Sequence, residues 1–194
     1  AVMTPIYWGS GSVLMPPAAF LQKPLRWLQL IEETGKTTPV GSLNPNFCYQ
    51  LCVDTISQEE ADKLDLSQWI FALNAAEPVR HSTVKAFFAK FGPRGFAREA
   101  LSPSFGMAEC TVMATCRQKG DPLVSKRVSG HKVAENLFVE KADGSMTFVS
   151  SGTNCAPQTL RIVNPDTLEV LPDNHIGEIW LAGEHIAQGY WGLP

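Results

Sequence analysis

The sequence predicts an α/β fold, a largely parallel sheet flanked by helices, followed by an antiparallel β-rich subdomain. Three observations predict it. Helical and strand-like apolar patterns alternate up to about residue 120, as a covered parallel sheet requires. Beyond that point short strands separated by Asn, Asp, Gly and Pro turns replace the alternation. The 194 residues are 44% apolar, enough for a sizeable core in one large domain or two small ones. The expected division is residues 1–120 for the α/β part and 121–194 for the β-rich part.

Ser12 to Met15 reads as a short apolar strand. From Phe20 to Ile31, the residues Phe20, Leu21, Pro24, Leu25, Leu28 and Ile31 fall at helical spacing, and Gly35 stops that helix. Thr37 to Val40 reads as the next strand. Asn44-Pro45 marks a helix start with Pro at the first helical position, and Phe47, Leu51 and Cys52 give its buried face. Ser57-Gln58-Glu59-Glu60 is a capping box. Trp69 to Leu73 reads as a buried strand ending at Asn74. Ser82 is placed to cap a helix with core face Val84, Phe87, Phe88 and Phe91, ended by Gly92. Arg98 to Ser102 reads as a further strand. After Glu109 no helix is predicted. Asn136–Val139 and Thr147–Ser150 flank the turn Ala142–Ser145 as a hairpin, and Leu160–Val163, Leu168–Leu171 and Ile176–Ala182 are short strands.

The totals exclude several function classes. Net charge is −3 with Lys and Arg dispersed, so no basic face for nucleic acid is visible. No apolar run reaches the length of a membrane span, and no signal peptide is evident. The five cysteines are irregularly spaced and read as reduced thiols of a cytoplasmic protein. Cys48 and Cys52 share a helix face, but no His or second Cys pair lies at metal-finger spacing, so they read as core. His81, His131, His175 and His185 have no evident Asp or Ser partner, and no triad is assigned. Both ends look cut from something longer.

Leu101 to Glu109 carries the most chemistry. An apolar lead ends in an aromatic residue that can stack on a purine. A glycine follows, which lets backbone approach a phosphate, and then a carboxylate that can hold Mg²⁺. The same run also fits a plain strand and turn with a core aromatic and a surface carboxylate. Asn74–Glu77 follows another strand at the same kind of edge, and ligands of parallel sheets bind at the carboxyl ends of strands.

Asn74-Ala75-Ala76-Glu77-Pro78 resembles the Gly-Ala-Glu-Pro segment of adenylate-forming enzymes. Ser104-Phe105-Gly106-Met107-Ala108-Glu109 resembles their Tyr-Gly-Met-Thr/Ala-Glu motif. Gly177-Glu178-Ile179-Trp180 through Gly183, and Gly189-Tyr190-Trp191 to Pro194, resemble their Gly-Glu and Gly-Tyr segments. Within that superfamily the likeness is to fatty acyl-AMP ligases. Phe20, Pro24, Arg26, Trp27 and Leu28 match one of their stretches, and Pro45-Asn46-Phe47-Cys48-Tyr49 resembles their Pro-Asn-Phe-Ala-Tyr. Glu109 lies 43 positions before Gly152 (109 to 152), and Val124 to Met146 looks like the ligase-specific insertion, which in the family is associated with hindering the motion that admits coenzyme A.

The resemblance implies an enzyme that joins a fatty acid to ATP as acyl-adenylate and passes the acyl group to an acyl carrier protein, feeding lipid or polyketide assembly. The cofactors it implies are ATP and Mg²⁺. Glu109 would be the catalytic metal ligand. Asn74, Ala75, Ala76, Glu77, Pro78, Ser104, Phe105, Gly106, Met107 and Ala108 would surround the nucleotide, and Asn46 and Phe47 the acyl chain, although the last two read more readily as core helix. Trp27 and Trp69 read as packing. The phosphate loop, the downstream ribose-binding Asp and the catalytic Lys of the family have no counterpart here, so the chain matches the middle of such an enzyme and is expected to be inactive alone. An acyl-CoA synthetase fragment and a non-catalytic adenylate- or acyl-binding module are the alternatives. Three departures stand out: Ala75 for the usual Gly, costly if that position needs positive φ; Phe105 for the commoner Tyr; and Gln158 where a Gly often follows the Pro.

Overall fold

The computed structural model describes residues 3–193; Ala1, Val2 and Pro194 lie outside the described residues. The chain divides into two compact units, residues 1–77 with 82–101, and residues 78–81 with 102–194.

The first unit opens with helix α1 (Met3–Trp8), then α2 (Pro17–Gln22) and α3 (Leu25–Gly35). The single helix expected over 20–31 is two. Pro24 has no N–H to continue α2, whose end is closed by the Lys23 N–H on the Ala19 and Phe20 carbonyls, and α3 restarts directly after it. The expected strand at 12–15 does not form: Val13 and Leu14 are exposed, and an apolar run with no ladder to join stays irregular.

Strand β1 (Val40–Pro45) begins where the predicted one ends, because residues 36–38 are still in turns that reach back to Glu33 and Thr34. Pro45 closes β1 in extended backbone, and α4 (Asn46–Thr55) follows, so Pro45 precedes the helix instead of opening it. The buried face of α4 is Asn46, Cys48, Tyr49 and Cys52, while Phe47 is 47% exposed; the Tyr49 ring, not Phe47, fixes the rotation of the helix. The capping box before α5 (Gln58–Ala61) forms as expected, with both Ser57–Glu60 bonds present.

Strand β2 (Trp69–Ala75) runs parallel to β1, in register from Gly41 opposite Phe71 to Pro45 opposite Ala75, after a bulge at Val40/Gly41. Helix α6 (His81–Phe91) buries Val84, Phe87, Phe88 and Phe91 as its periodicity predicts, but Ser82 lies inside it and does not cap it. A 3₁₀ turn at Arg98–Ala100 occupies the start of the expected last strand. The core is aromatic. Trp27 and Trp69 meet edge to face at 5.2 Å, Tyr49 stacks on Trp69 at 6.2 Å, and Phe87 packs against Tyr49 at 5.1 Å. The packing role expected for both tryptophans is thus borne out.

In the second unit the strand β3 (Leu101–Phe105) pairs antiparallel with β4 (Thr115–Cys116), which pairs with β7 (Thr153–Asn154). β5 (Ser125–Val128) pairs with β6 (Met146–Val149), and β8 (Thr159–Val163) with β9 (Glu178–Ala182). The expected hairpin of 136–139 with 147–150 is therefore corrected: β6 takes Ser125–Val128 as partner. Between them Ser129 caps a helix absent from the sequence reading, α7 (Gly130–Ala134), by accepting the Lys132 N–H. Leu168–Leu171 is not a full strand; it touches the β8 edge through the Val163–Val170 bridge. All five cysteines are free thiols.

Candidate functional site

Each loop of the predicted site lies in one unit, or at its edge, and each is built by a strand end. In the first unit β2 ends at Ala75. Ala75 keeps ordinary strand backbone, so the strain foreseen there is absent; it falls on the next residue, Ala76, at φ +67°. The Asn74 side chain is fully buried. Its Nδ2 donates to Asn46 Oδ1 at 3.5 Å, and Asn46 Nδ2 donates to Thr83 Oγ1 at 3.3 Å. Any ligand contact from Asn74 would therefore come from its backbone. The half-buried Glu77 carboxylate accepts the Phe47 N–H at 2.6 Å, at the start of α4. Of the two acyl-binding candidates, Asn46 is buried in this polar chain and the Phe47 side chain is exposed.

In the second unit Ser104 is buried and Phe105 closes β3 half-exposed, opposite Thr115. Gly106 is required: a β-carbon there would stand 1.8 Å from the Val112 carbonyl oxygen. Met107 and Ala108 are exposed, and Ala108–Cys110 forms a 3₁₀ turn that carries Glu109. Thr111, at φ +71°, ends that turn.

The segment 183–190 is sewn to this turn. The Ala187 N–H donates to the Glu109 carbonyl at 2.7 Å and Thr111 Oγ1 to the His185 carbonyl at 3.1 Å. The Tyr190 hydroxyl donates to Glu109 Oε1. This bond holds the Glu109 carboxyl below the usual glutamate range and raises the Tyr190 phenol. Gln158, the residue in place of glycine, donates to the Ala114 carbonyl at 2.6 Å and meets His185 Nε2 at 3.1 Å, so its side chain braces the same segment.

An ionised carboxylate with one oxygen engaged by Tyr190 suits a hard cation. Among the described residues no three His, Cys, Asp or Glu side chains group as a metal cage, so Mg²⁺ at Glu109 would take its remaining ligands from phosphate and water. Burial pushes the Cys48 and Cys116 thiols up to about 11, which leaves them neutral and unsuited to nucleophilic work. A surface groove of about 510 Å³ between Glu32 and Gln68 holds none of the predicted residues. No helix among the described residues is long and apolar enough to cross a membrane.

Sequence reasoning missed the partners of the two carboxylates. Tyr190 stands in a quoted motif, which was the available signal, but nothing local ties it to Glu109, 81 positions away.

The pattern for AMP-binding enzymes matches residues 1–191, and the chain belongs to that family. The expected likeness to fatty acyl-AMP ligases within it is borne out. The chain is 36% identical over 98% of its length to the medium-chain-fatty-acid–[acyl-carrier-protein] ligase JamA of Moorena producens. It is 33% identical over its whole length to the long-chain-fatty-acid–AMP ligase FadD26 of Mycobacterium marinum. It superposes over its whole length on a fatty acid AMP ligase from Legionella pneumophila with TM-score 0.90 and 37% identity, covering 33% of that chain. A fatty acyl-adenylate ligase from L. pneumophila, solved with acyl adenylate and pyrophosphate, matches at TM-score 0.89. The chain spans about a third of the curated relatives it matches, 32% of the first and 33% of the second.

Proposed function

We propose that this chain is the adenylate- and metal-binding part of a fatty acyl-AMP ligase. The enzyme would activate a medium or long fatty acid with ATP and hand it to an acyl carrier protein in the cytoplasm. The observation that carries the reading is the likeness along the entire chain to relatives named for that activity, with both motif loops set at strand ends.

The chemistry follows from charge. A carboxylate must meet the α-phosphate of ATP, two anions that repel, so neutralisation and positioning dominate the barrier. Mg²⁺, when bound, screens the phosphates. Glu109 would hold it, and the Tyr190 hydroxyl keeps that carboxylate ionised and oriented. Phe105 would offer a ring face to adenine and Gly106 a backbone without a side chain beside phosphate; the family resemblance gives the Ala75–Pro78 backbone to adenine as well. Residues 124–146 would serve as the ligase-specific insertion, and the division near residue 120 would separate the nucleotide-binding part from the β-rich part.

The test is fatty-acid-dependent ATP–pyrophosphate exchange by the polypeptide its gene encodes in full. F105A is expected to raise the KM for ATP about tenfold or more, matching a stacking contact of ~1–3 kcal/mol, and E109Q to lower kcat with little change in fatty-acid binding. Absence of fatty-acid-dependent exchange in the unaltered protein would overturn the proposal. The 194-residue chain by itself is expected to release no pyrophosphate above blank.

A second reading has its own support: the chain is 35% identical to the putative fatty-acid–CoA ligase fadD25 of Mycobacterium tuberculosis. The product decides. Acyl-CoA made as readily as acyl-adenylate, and unchanged on deletion of 124–146, favours the synthetase.

A further inference from the structure

Strands β1 and β2 end side by side, with Asn44 opposite Asn74 and Pro45 opposite Ala75. From there the two chains part. β1 passes at once into α4 through Asn46 and Phe47, and β2 passes into Ala76 and Glu77. Two side chains of the second path reach back to the first turn of α4: Asn74 bonds Asn46 in the interior, and Glu77 takes the Phe47 N–H at 2.6 Å. That N–H belongs to the first turn, where no helical carbonyl reaches it. A carboxylate there also meets the positive end of the helix. Between the two bonds Ala76 sits at φ +67°, a conformation an alanine keeps only where its surroundings fix it.

We propose that Glu77 is a positioning residue that ties the loop of residues 74–78 to the start of α4. Nucleotide on that loop then sets the helix end that presents the exposed Phe47 side chain to the acyl chain. The inference rests on the proposed function, which gives the loop to adenine, and on the acyl-binding role that the family resemblance implies for the helix end. The Glu77 side chain is directed to neither substrate; its carboxylate acts through the Phe47 amide.

Amide hydrogen exchange on the polypeptide its gene encodes in full, with 5′-AMP as the probe, tests it. In Glu77→Ala the Phe47 amide is expected to exchange about five- to tenfold faster, the loss typical of a helix cap, while Glu77→Gln, which keeps an acceptor oxygen, stays within about twofold of wild type. Saturating AMP is expected to slow the Ala76 and Phe47 amides together in the wild type, and Ala76 alone in Glu77→Ala. The wild-type measurement needs no variant, so a misfolded Glu77→Ala does not shelter the idea. AMP that slows Ala76 and leaves Phe47 unmoved overturns the coupling alone. AMP that slows neither overturns the nucleotide reading and the coupling with it.

Discussion

In residues 1–77 and 82–101, Trp27, Tyr49, Trp69, Phe87 and Phe96 meet ring on ring, and Trp69 is 1% exposed. In residues 102–193 the corresponding mass lies outside: Trp180 is 43% exposed on β9, and Phe148 on β6 is 40% exposed. The second unit buries small groups instead, Cys110, Ala114, Cys116, Val128 and Val163. One unit is held by a continuous apolar interior. The other is held by short ladders and by bonds between side chains and carbonyls, such as those of Gln158 and Thr111. The contrast teaches that the β-rich unit depends on local polar geometry, where a small misplacement is felt, and the α/β unit on volume, where a lost ring is felt.

The sharpest way to break the comparison is Trp69→Ala. Removing a fully buried ring at the centre of the aromatic cluster is expected to cost about 3–5 kcal/mol, read by urea unfolding with near-ultraviolet circular dichroism. A loss below about 1 kcal/mol would mean the cluster is not the keystone of its unit. Next, Gly106→Ala forces a β-carbon into the Val112 carbonyl and is expected to cost about 1–3 kcal/mol by the same assay, with no apolar surface removed.

Ser57→Ala tests the polar side within the apolar unit, and the expected loss is about 1 kcal/mol. This cap also has a pH dependence. The Ser57 N–H holds the Glu60 carboxyl below its ordinary value, so its contribution is complete above the unfolded glutamate pKa of ~4.3. It is lost as pH falls through the lowered folded value, and the advantage of wild type over Glu60→Gln should shrink there. The smallest effect belongs to Trp180→Ala, a ring half in solvent, at about 0.5–1 kcal/mol. A loss comparable to that of Trp69→Ala would erase the distinction between the units.

Much of the first unit was legible because its signals are local. The spacing of Val84, Phe87, Phe88 and Phe91 fixes the buried face of α6, and Ser57 with Glu60 fixes the start of α5. Boundaries slipped where a turn competes with a strand, as at residues 36–38, and where proline divides a periodic run. The second unit was less legible because two-stranded ladders choose partners far apart in sequence. Nothing near Met146 announces that its partner is Val128, and the five residues of α7 are too few to show a period. For the candidate site, motif order is what proposes Phe105, Gly106 and Glu109. The Tyr190 and Phe47 partners arise only when distant segments meet.

The bulge at Val40/Gly41 has a consequence for how this chain can vary in length. From Gly41 onward each residue of β1 is indexed to one of β2, so deleting a single residue past the bulge would rotate every following side chain to the opposite side of the pleat. Asn46 would then miss Asn74, and Glu77 would face the wrong amide. Upstream of the bulge an added residue can loop out without disturbing that index. Tolerance to insertions should therefore change abruptly at one peptide bond.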